Sequence, residues 1–117
     1  MAFEDVEETM DKYWNPETIG DNIEGNVYEI VKDQWGNQRI VLDMGDDAEG
    51  NLMTTTLPAH AHLQRFILNL TIGDYIRVEL VKLVQPTQEQ LDADPNRKPV
   101  RIYKVQKDPD RAQDYEF

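Results

Sequence analysis

The sequence predicts an all-β fold with one helix, in which five strands form the body of the chain and the helix lies between strands three and four. Three observations support this prediction. Glycines and prolines divide the middle of the chain into short segments, several segments alternate apolar and polar residues, and one repeats its apolar residues at helical spacing. The 117 residues suffice for one small core, and a hydrophobic fraction of 39% is too high for a chain that is disordered throughout.

The first three strands are expected to follow one another through tight turns. The first covers residues 21–33, and Gly25 within it predicts a bend or a bulge. The tripeptide Trp-Gly-Asn that follows is a turn signal, so residues 39–43 should pair with the first strand as a hairpin. A second turn signal at residues 45–51 leads into a third strand at residues 52–56.

The helix and the last two strands complete the body. Pro58 suits a helix start, and the helical spacing of the apolar residues after it predicts a helix over residues 59–69. Strict alternation predicts a fourth strand over residues 75–80, and a polar loop over residues 86–99 leads to a fifth strand at residues 100–105. Three strands, a helix and two strands are the layout of a five-stranded Greek-key barrel of the oligonucleotide-binding type, the OB-fold.

Charge is concentrated at the two ends of the chain. The net charge is -11, yet residues 1–25 carry eight acids against one lysine and residues 108–117 carry four acids against one arginine, which leaves -1 for residues 26–107. We therefore predict an acidic N-terminal extension over residues 1–13, an OB-fold domain over residues 14–107 and an acidic tail after it that ends in phenylalanine.

Four stretches carry a resemblance to a known family. They are IGDNIEGNV at 19–27, LPAH at 57–60 with Leu63, IGDYIRV at 72–78 and PVRIYKV at 99–105. In these stretches the chain resembles small OB-fold proteins of bacteriophages and mobile elements, a family similar to single-stranded DNA-binding proteins. The resemblance spans residues 14–106 and implies single-stranded DNA binding in phage-type DNA replication, recombination or repair.

Binding a single strand requires flat rings on which bases stack, at about 1–3 kcal/mol per base, and cations near the phosphates. The stacking candidates are Trp35, Tyr103, Tyr28 and Tyr75. Trp35 is the first choice because a tryptophan in a short polar turn has little core to enter, and Tyr103 is the second because cations flank it. Packing over the core is the alternative for each ring, and Trp14 is expected to cap the open end of the barrel.

The predicted phosphate contacts are arginines and lysines of the body. They are Arg39, Arg77, Arg97, Lys98, Arg101 and Lys104. The cluster at residues 97–104 is favoured because the loop between strands four and five can close over a bound strand. For any single cation, a solvated surface position balanced by nearby acids is the alternative.

The end of the chain suggests a partner. Its last residues are Asp114, Tyr115, Glu116 and Phe117. An acidic, mobile tip ending in phenylalanine is similar to the tails of bacterial and phage single-strand-binding proteins, which implies recruitment of replication or recombination proteins. An ordinary disordered terminus is the alternative.

Little in the sequence indicates catalysis, a metal or a membrane. There is no cysteine, and His60 and His62 are two apart in the predicted helix, where helix capping and surface positions are expected. The acids within residues 46–51 are expected to form a hairpin turn. We expect no enzyme, no cofactor, no membrane span and a cytoplasmic location.

The net charge supports one alternative function, an acidic interaction protein or inhibitor that engages the nucleic-acid-binding surface of another protein.

Overall fold

The computed structural model describes Phe3 and residues 13–115, and the structural statements that follow concern these residues. The elements are β1 (Asn22–Lys32), β2 (Gln38–Asp46), β3 (Leu52–Thr56), α1 (Ala61–Ile67), β4 (Tyr75–Val84), α2 (Gln88–Ala93) and β5 (Val100–Asp108), with a 3-10 turn at Pro109–Arg111. This part of the chain is mainly antiparallel β, as the sequence predicts. No helix in it is long and apolar enough to cross a membrane.

Residues 13–115 contain two α-helices, whereas the sequence predicts one. α1 is the predicted helix, and it begins late because His60 is still extended, with φ -65° and ψ 141°. α2 lies within residues 86–99, where the sequence predicts only a polar loop. A capping box starts it, in which the Thr87 side chain accepts from the Gln90 N–H and the Gln90 side chain accepts from the Thr87 N–H.

The five strands form one antiparallel sheet in the order β3-β2-β1-β4-β5. β1 is shared between two neighbours, because Asn22–Asn26 pair with β4 and Asn26–Lys32 pair with β2. A register shift between Val27 and Glu29 follows the crossover point. Gly25 fits the bend because a Cβ there would lie 2.7 Å from the Asp43 carbonyl oxygen.

The core lies between the inner face of this sheet and α1. Its buried members are Val27, Ile40, Leu42, Leu57, Leu63, Ile67, Leu70, Ile76, Val78, Leu80 and Tyr103. The predicted alternation in β4 is confirmed, since Ile76, Val78 and Leu80 are all fully buried. Burial of this apolar surface is the main favourable contribution to folding.

The gap between β3 and β5 is filled by the seam segment, which we define as residues 13–16. A closed sheet was predicted, but in the described structure β3 pairs only with β2 and β5 only with β4. The Trp14 N–H donates to the Thr56 carbonyl at 3.0 Å, and the Arg101 Nε donates to the Pro16 carbonyl at 2.9 Å. Pro16 is fully buried, and Trp14 packs on the core with 6.0 Å between its ring centroid and that of Tyr103.

Two histidines join α1 to β5 through Tyr103. The Tyr103 N–H donates to His62 Nδ1 at 2.9 Å, and its hydroxyl is hydrogen-bonded to His60 Nδ1 at 2.6 Å. Burial raises the pKa of Tyr103 to about 12, so its hydroxyl keeps its proton. His60 stands at the N-cap position of α1, although its side chain makes no capping hydrogen bond. Both histidine rings are partly buried and stack near the Tyr103 ring, so they contact the core as well as the surface.

Acidic pH is expected to weaken the contacts of His60 and His62 with Tyr103 and to lower the stability of the protein. Burial, and then the positive charge of Arg101, hold the pKa of His60 below its ordinary 6.5, and burial, followed by Arg65, does the same for His62. As the pH falls through 6.5, the unfolded chain therefore takes up protons before the folded protein does, and the free energy of unfolding decreases.

We expect the double variant His60→Asn/His62→Asn to lose less stability than the wild type between about pH 7.5 and pH 5.5, because an amide oxygen can accept but does not titrate. Urea unfolding at each pH measures this difference. The chain has only two histidines, so no other side chain of this type contributes. Equal pH dependence in the two proteins would contradict the assignment.

Candidate nucleic-acid interface

The turn between β1 and β2 borders an open groove that contains two of the predicted binding residues. We call it the hairpin groove, and its lining residues are Tyr13, Val31, Asp33, Gln34, Trp35, Arg39 and Thr56. The Trp35 side chain is 73% exposed at the tip of the turn, and Tyr13 is 56% exposed. Two aromatic rings and one guanidinium therefore border the same depression.

The backbone of this turn is fixed by one carboxylate. Asp33 Oδ1 accepts from the Trp35 N–H at 2.9 Å and from the Asn37 N–H at 3.0 Å. Gly36 adopts φ 83°, which a residue with a Cβ takes up only with strain. The turn thus holds Trp35 outward by hydrogen bonds that do not involve its ring.

Asp33 also holds the arginine of the groove. Its Oδ2 lies 3.4 Å from Arg39 Nε, and both side chains are mostly buried, with 12% and 27% exposed. The sequence did not single out Tyr13, because it lies in the predicted acidic extension. The signal was the pair Tyr13-Trp14 at the end of the acidic run, where an aromatic dipeptide indicates that the folded body has begun.

Tyr75 and Arg77 lie in a second depression, on the outer face of β4 and β5. We call it the C-terminal groove, and its lining residues are Glu24, Tyr75, Arg77, Gln106, Lys107, Asp108, Pro109 and Arg111. Each of its three cations has an acidic partner. The pairs are Arg77 with Glu24 (3.0 Å), Lys107 with Asp74 (3.1 Å) and Arg111 with Asp108 (3.3 Å). The Arg111 guanidinium lies 5.0 Å from the Tyr75 ring centroid, so one face of that ring is already covered.

The described part of the C-terminal tail is docked on the body, whereas the sequence predicts that it is mobile. The Gln113 N–H donates to the Gly73 carbonyl at 2.8 Å, and Asn26 Nδ2 donates to the Arg111 carbonyl at 2.9 Å. The Tyr115 hydroxyl donates to Asp43 Oδ2 at 2.6 Å. These contacts order the chain through Tyr115.

Tyr28 is in contact with this docked tail. Its ring lies edge-on to the Tyr115 ring, with 5.2 Å between the centroids. Burial, and then the Asp43 carboxylate, raise the pKa of Tyr115 above its ordinary value. Asp114 is exposed, and the predicted partner-binding residues Glu116 and Phe117 lie outside the described residues.

The remaining predicted residues do not gather at either groove. Arg97 and Lys98 are exposed on the loop after α2, and Lys104 is exposed on β5 opposite Glu79. Tyr103 is only 3% exposed, so its prediction as a stacking ring is wrong, because no base can reach it. Arg101 is half-buried, and its Nε–H donates to the Pro16 carbonyl, which links β5 to the seam segment.

Other groups of polar residues in the described chain have structural roles. Asp47 Oδ1 accepts from the Glu49 and Asn51 N–H groups at 2.9 Å each, and these backbone bonds contribute to a lowered Asp47 pKa. This is the hairpin turn that the sequence predicts. Within residues 13–115, no group of three or more metal-ligating side chains is assembled.

Comparison with known proteins adds no relative. A scan against protein-family models, a search of curated proteins and a search of solved structures each returned no match.

The docked tail predicts a difference between two glycines. A Cβ at Gly73 would collide with the Gln113 carbonyl oxygen, whereas one at Gly50 would meet open space, and both residues have positive φ. Gly50→Ala should cost about 1–2 kcal/mol from backbone strain alone. Gly73→Ala should cost more and should release the tail.

Urea unfolding measures the cost, and carboxypeptidase digestion of the folded proteins measures the release. We expect faster removal of the residues around Tyr115 in Gly73→Ala than in Gly50→Ala. Equal stability and equal digestion in the two variants would show that the tail contact contributes nothing.

Proposed function

We propose that this chain binds single-stranded DNA and that the hairpin groove holds the bases. The observation that carries the proposal is the Trp35 ring, 73% exposed on a turn whose backbone Asp33 fixes. A ring that is mostly in water buries little apolar surface in the fold, but it offers a rigid platform to a flat ligand. Tyr13 and Arg39 in the same groove supply a second ring and a cation.

The strand arrangement supports an OB-type barrel as the scaffold. β1 pairs with β2 through one half and with β4 through the other, and α1 lies between β3 and β4 along the chain. OB-folds bind oligonucleotides at the loop between strands one and two and at the loop between strands four and five. Here the first of these loops holds Trp35, and the second holds Arg97 and Lys98.

Each part of the groove has a role in this proposal. Bases stack on Trp35 and Tyr13, and exposed cations contact phosphates along the strand. Replication, recombination or repair is the proposed setting, and the proposed recruitment of partner proteins falls to Asp114, Glu116 and Phe117, because Tyr115 contacts Asp43 and Tyr28.

A second candidate function is an acidic interaction protein that engages the nucleic-acid-binding surface of another protein. It is favoured by the C-terminal groove, where the three cations are each paired with an acid and Arg111 covers Tyr75. On such a surface little positive charge remains for phosphates, while the net charge of -11 would attract a basic partner.

Removal of the Trp35 ring tests the first function. We expect Trp35→Ala to weaken binding of a labelled oligo-dT by about tenfold or more, because one stacked base is worth about 1–3 kcal/mol. Fluorescence anisotropy of the label at low salt measures affinity. Leu68→Ala is the matched control, since Leu68 is 91% exposed and does not line the hairpin groove.

Two outcomes reject the proposal. Equal affinities of Trp35→Ala, Leu68→Ala and the wild type would show that the groove does not hold the bases. If the wild type fails to bind oligo-dT at low salt, the second candidate function takes its place.

The exposed cations predict a change in salt dependence. The double variant Arg97→Gln/Lys98→Gln should lower the slope of log affinity against log salt by about 0.7 for each phosphate that is no longer neutralised. Arg65→Gln is the control, because Arg65 is exposed on α1 and is not a predicted phosphate ligand. Titrations at four or more salt concentrations give the slopes, and an unchanged slope in the double variant excludes these two cations from the interface.

A further inference from the structure

We infer that the hairpin groove selects guanine and that the terminal nitrogens of Arg39 read this base. The inference rests on the proposed function, because it concerns the ligand of the same groove. It goes beyond that function by giving sequence preference to a site whose stacking rings accept any base.

The first step is the orientation of Arg39. Asp33 is itself anchored by two backbone N–H groups, and it contacts the guanidinium at Nε. Among the described residues, Arg39 has no acceptor other than Asp33. The two terminal nitrogens therefore keep their donors for a ligand, on a guanidinium that an anchored carboxylate restrains.

The second step is the position of Arg39 beside the rings. Arg39 lines the same groove as Trp35 and Tyr13. A base that stacks on a ring has its flat face covered, so only its edge remains for hydrogen bonds. The groove thus combines a platform for the face of a base with a restrained donor pair for its edge.

The third step is the chemistry of the base edges. Guanine presents two adjacent acceptors, O6 and N7, which match two N–H donors of one guanidinium. On the same edge, adenine offers N7 beside an amino donor, cytosine offers an amino donor and thymine offers the single acceptor O4. Of these edges only that of guanine accepts both hydrogen bonds from Arg39. Cytosine presents N3 and O2 side by side on its pairing edge, so it is included among the central bases tested, and a preference for cytosine over guanine would contradict the inference.

Base analogues test this directly on the full-length protein. The probes are labelled dT oligonucleotides of about 12 nucleotides, within the range of OB-fold site sizes, with one central base replaced. We expect guanine to bind about tenfold more tightly than thymine at that position. Hypoxanthine keeps O6 and N7 and should retain the gain, whereas 7-deazaguanine lacks N7 and should lose most of it.

Two variants assign the preference to this pair of residues. Arg39→Met keeps an aliphatic stem but has no donors, and it should abolish the preference for guanine over thymine. Asp33→Asn keeps an oxygen for the turn but no longer attracts the guanidinium, so the preference for guanine over thymine should fall by a larger factor than the affinity for oligo-dT. Circular dichroism and urea unfolding establish that both variants are folded.

The outcomes separate this inference from the proposed function. If the wild type binds oligo-dT through Trp35 but binds guanine and 7-deazaguanine equally, the inference is wrong and the function stands. If Arg39→Met weakens every oligonucleotide by the same factor, Arg39 contacts phosphate and the inference is again wrong. If no oligonucleotide binds, both are wrong.

Discussion

The pairing of β1 with two strands is the constraint on which the rest of the structure depends. One continuous strand can pair with β4 through its first half and with β2 through its second half only if it bends between them. Gly25 permits the bend, because its missing Cβ lets the Asp43 carbonyl approach the backbone, and the register shift before Glu29 follows. The hairpin turn extends from the second half, and the tail docks where the two halves meet, at Asn26.

Several charged side chains of this acidic protein contact other groups of the protein, and this limits which of them remain for a ligand. Asp33 fixes a turn and an arginine, and Asp43 accepts from the tail through Tyr115. Arg101 is used by the seam segment. The hairpin groove differs from the C-terminal groove in one respect: Trp35 and Tyr13 are exposed, whereas Arg111 covers one face of the Tyr75 ring.

The strands could be predicted from the sequence because apolar–polar alternation and turn residues depend only on neighbouring positions in the chain. The same rule argued against Tyr103 as a platform: Tyr103 shares a face with Val105, which packs on the core, whereas Lys104 points outward. Tyr103 was nevertheless predicted as a stacking ring because Arg101 and Lys104 flank it in the sequence. The docking of the tail was beyond local reasoning, because Gln113 and Tyr115 find partners at Gly73 and Asp43, far away in the sequence. Tyr13 lies in the hairpin groove because the seam segment pairs with Thr56, and this contact too joins residues that are far apart in the sequence.

The two tryptophans occupy contrasting environments, and this makes the protein its own optical probe. Trp14 is partly buried against Tyr103 and the core, where emission is shifted to shorter wavelength and collisional quenchers have less access. Trp35 stands in water, where emission is red-shifted and iodide or acrylamide has access. Because the chain has no third indole, spectral separation of these two signals reports on the hairpin groove and on the contact between the seam segment and the core in the same sample, without any attached dye.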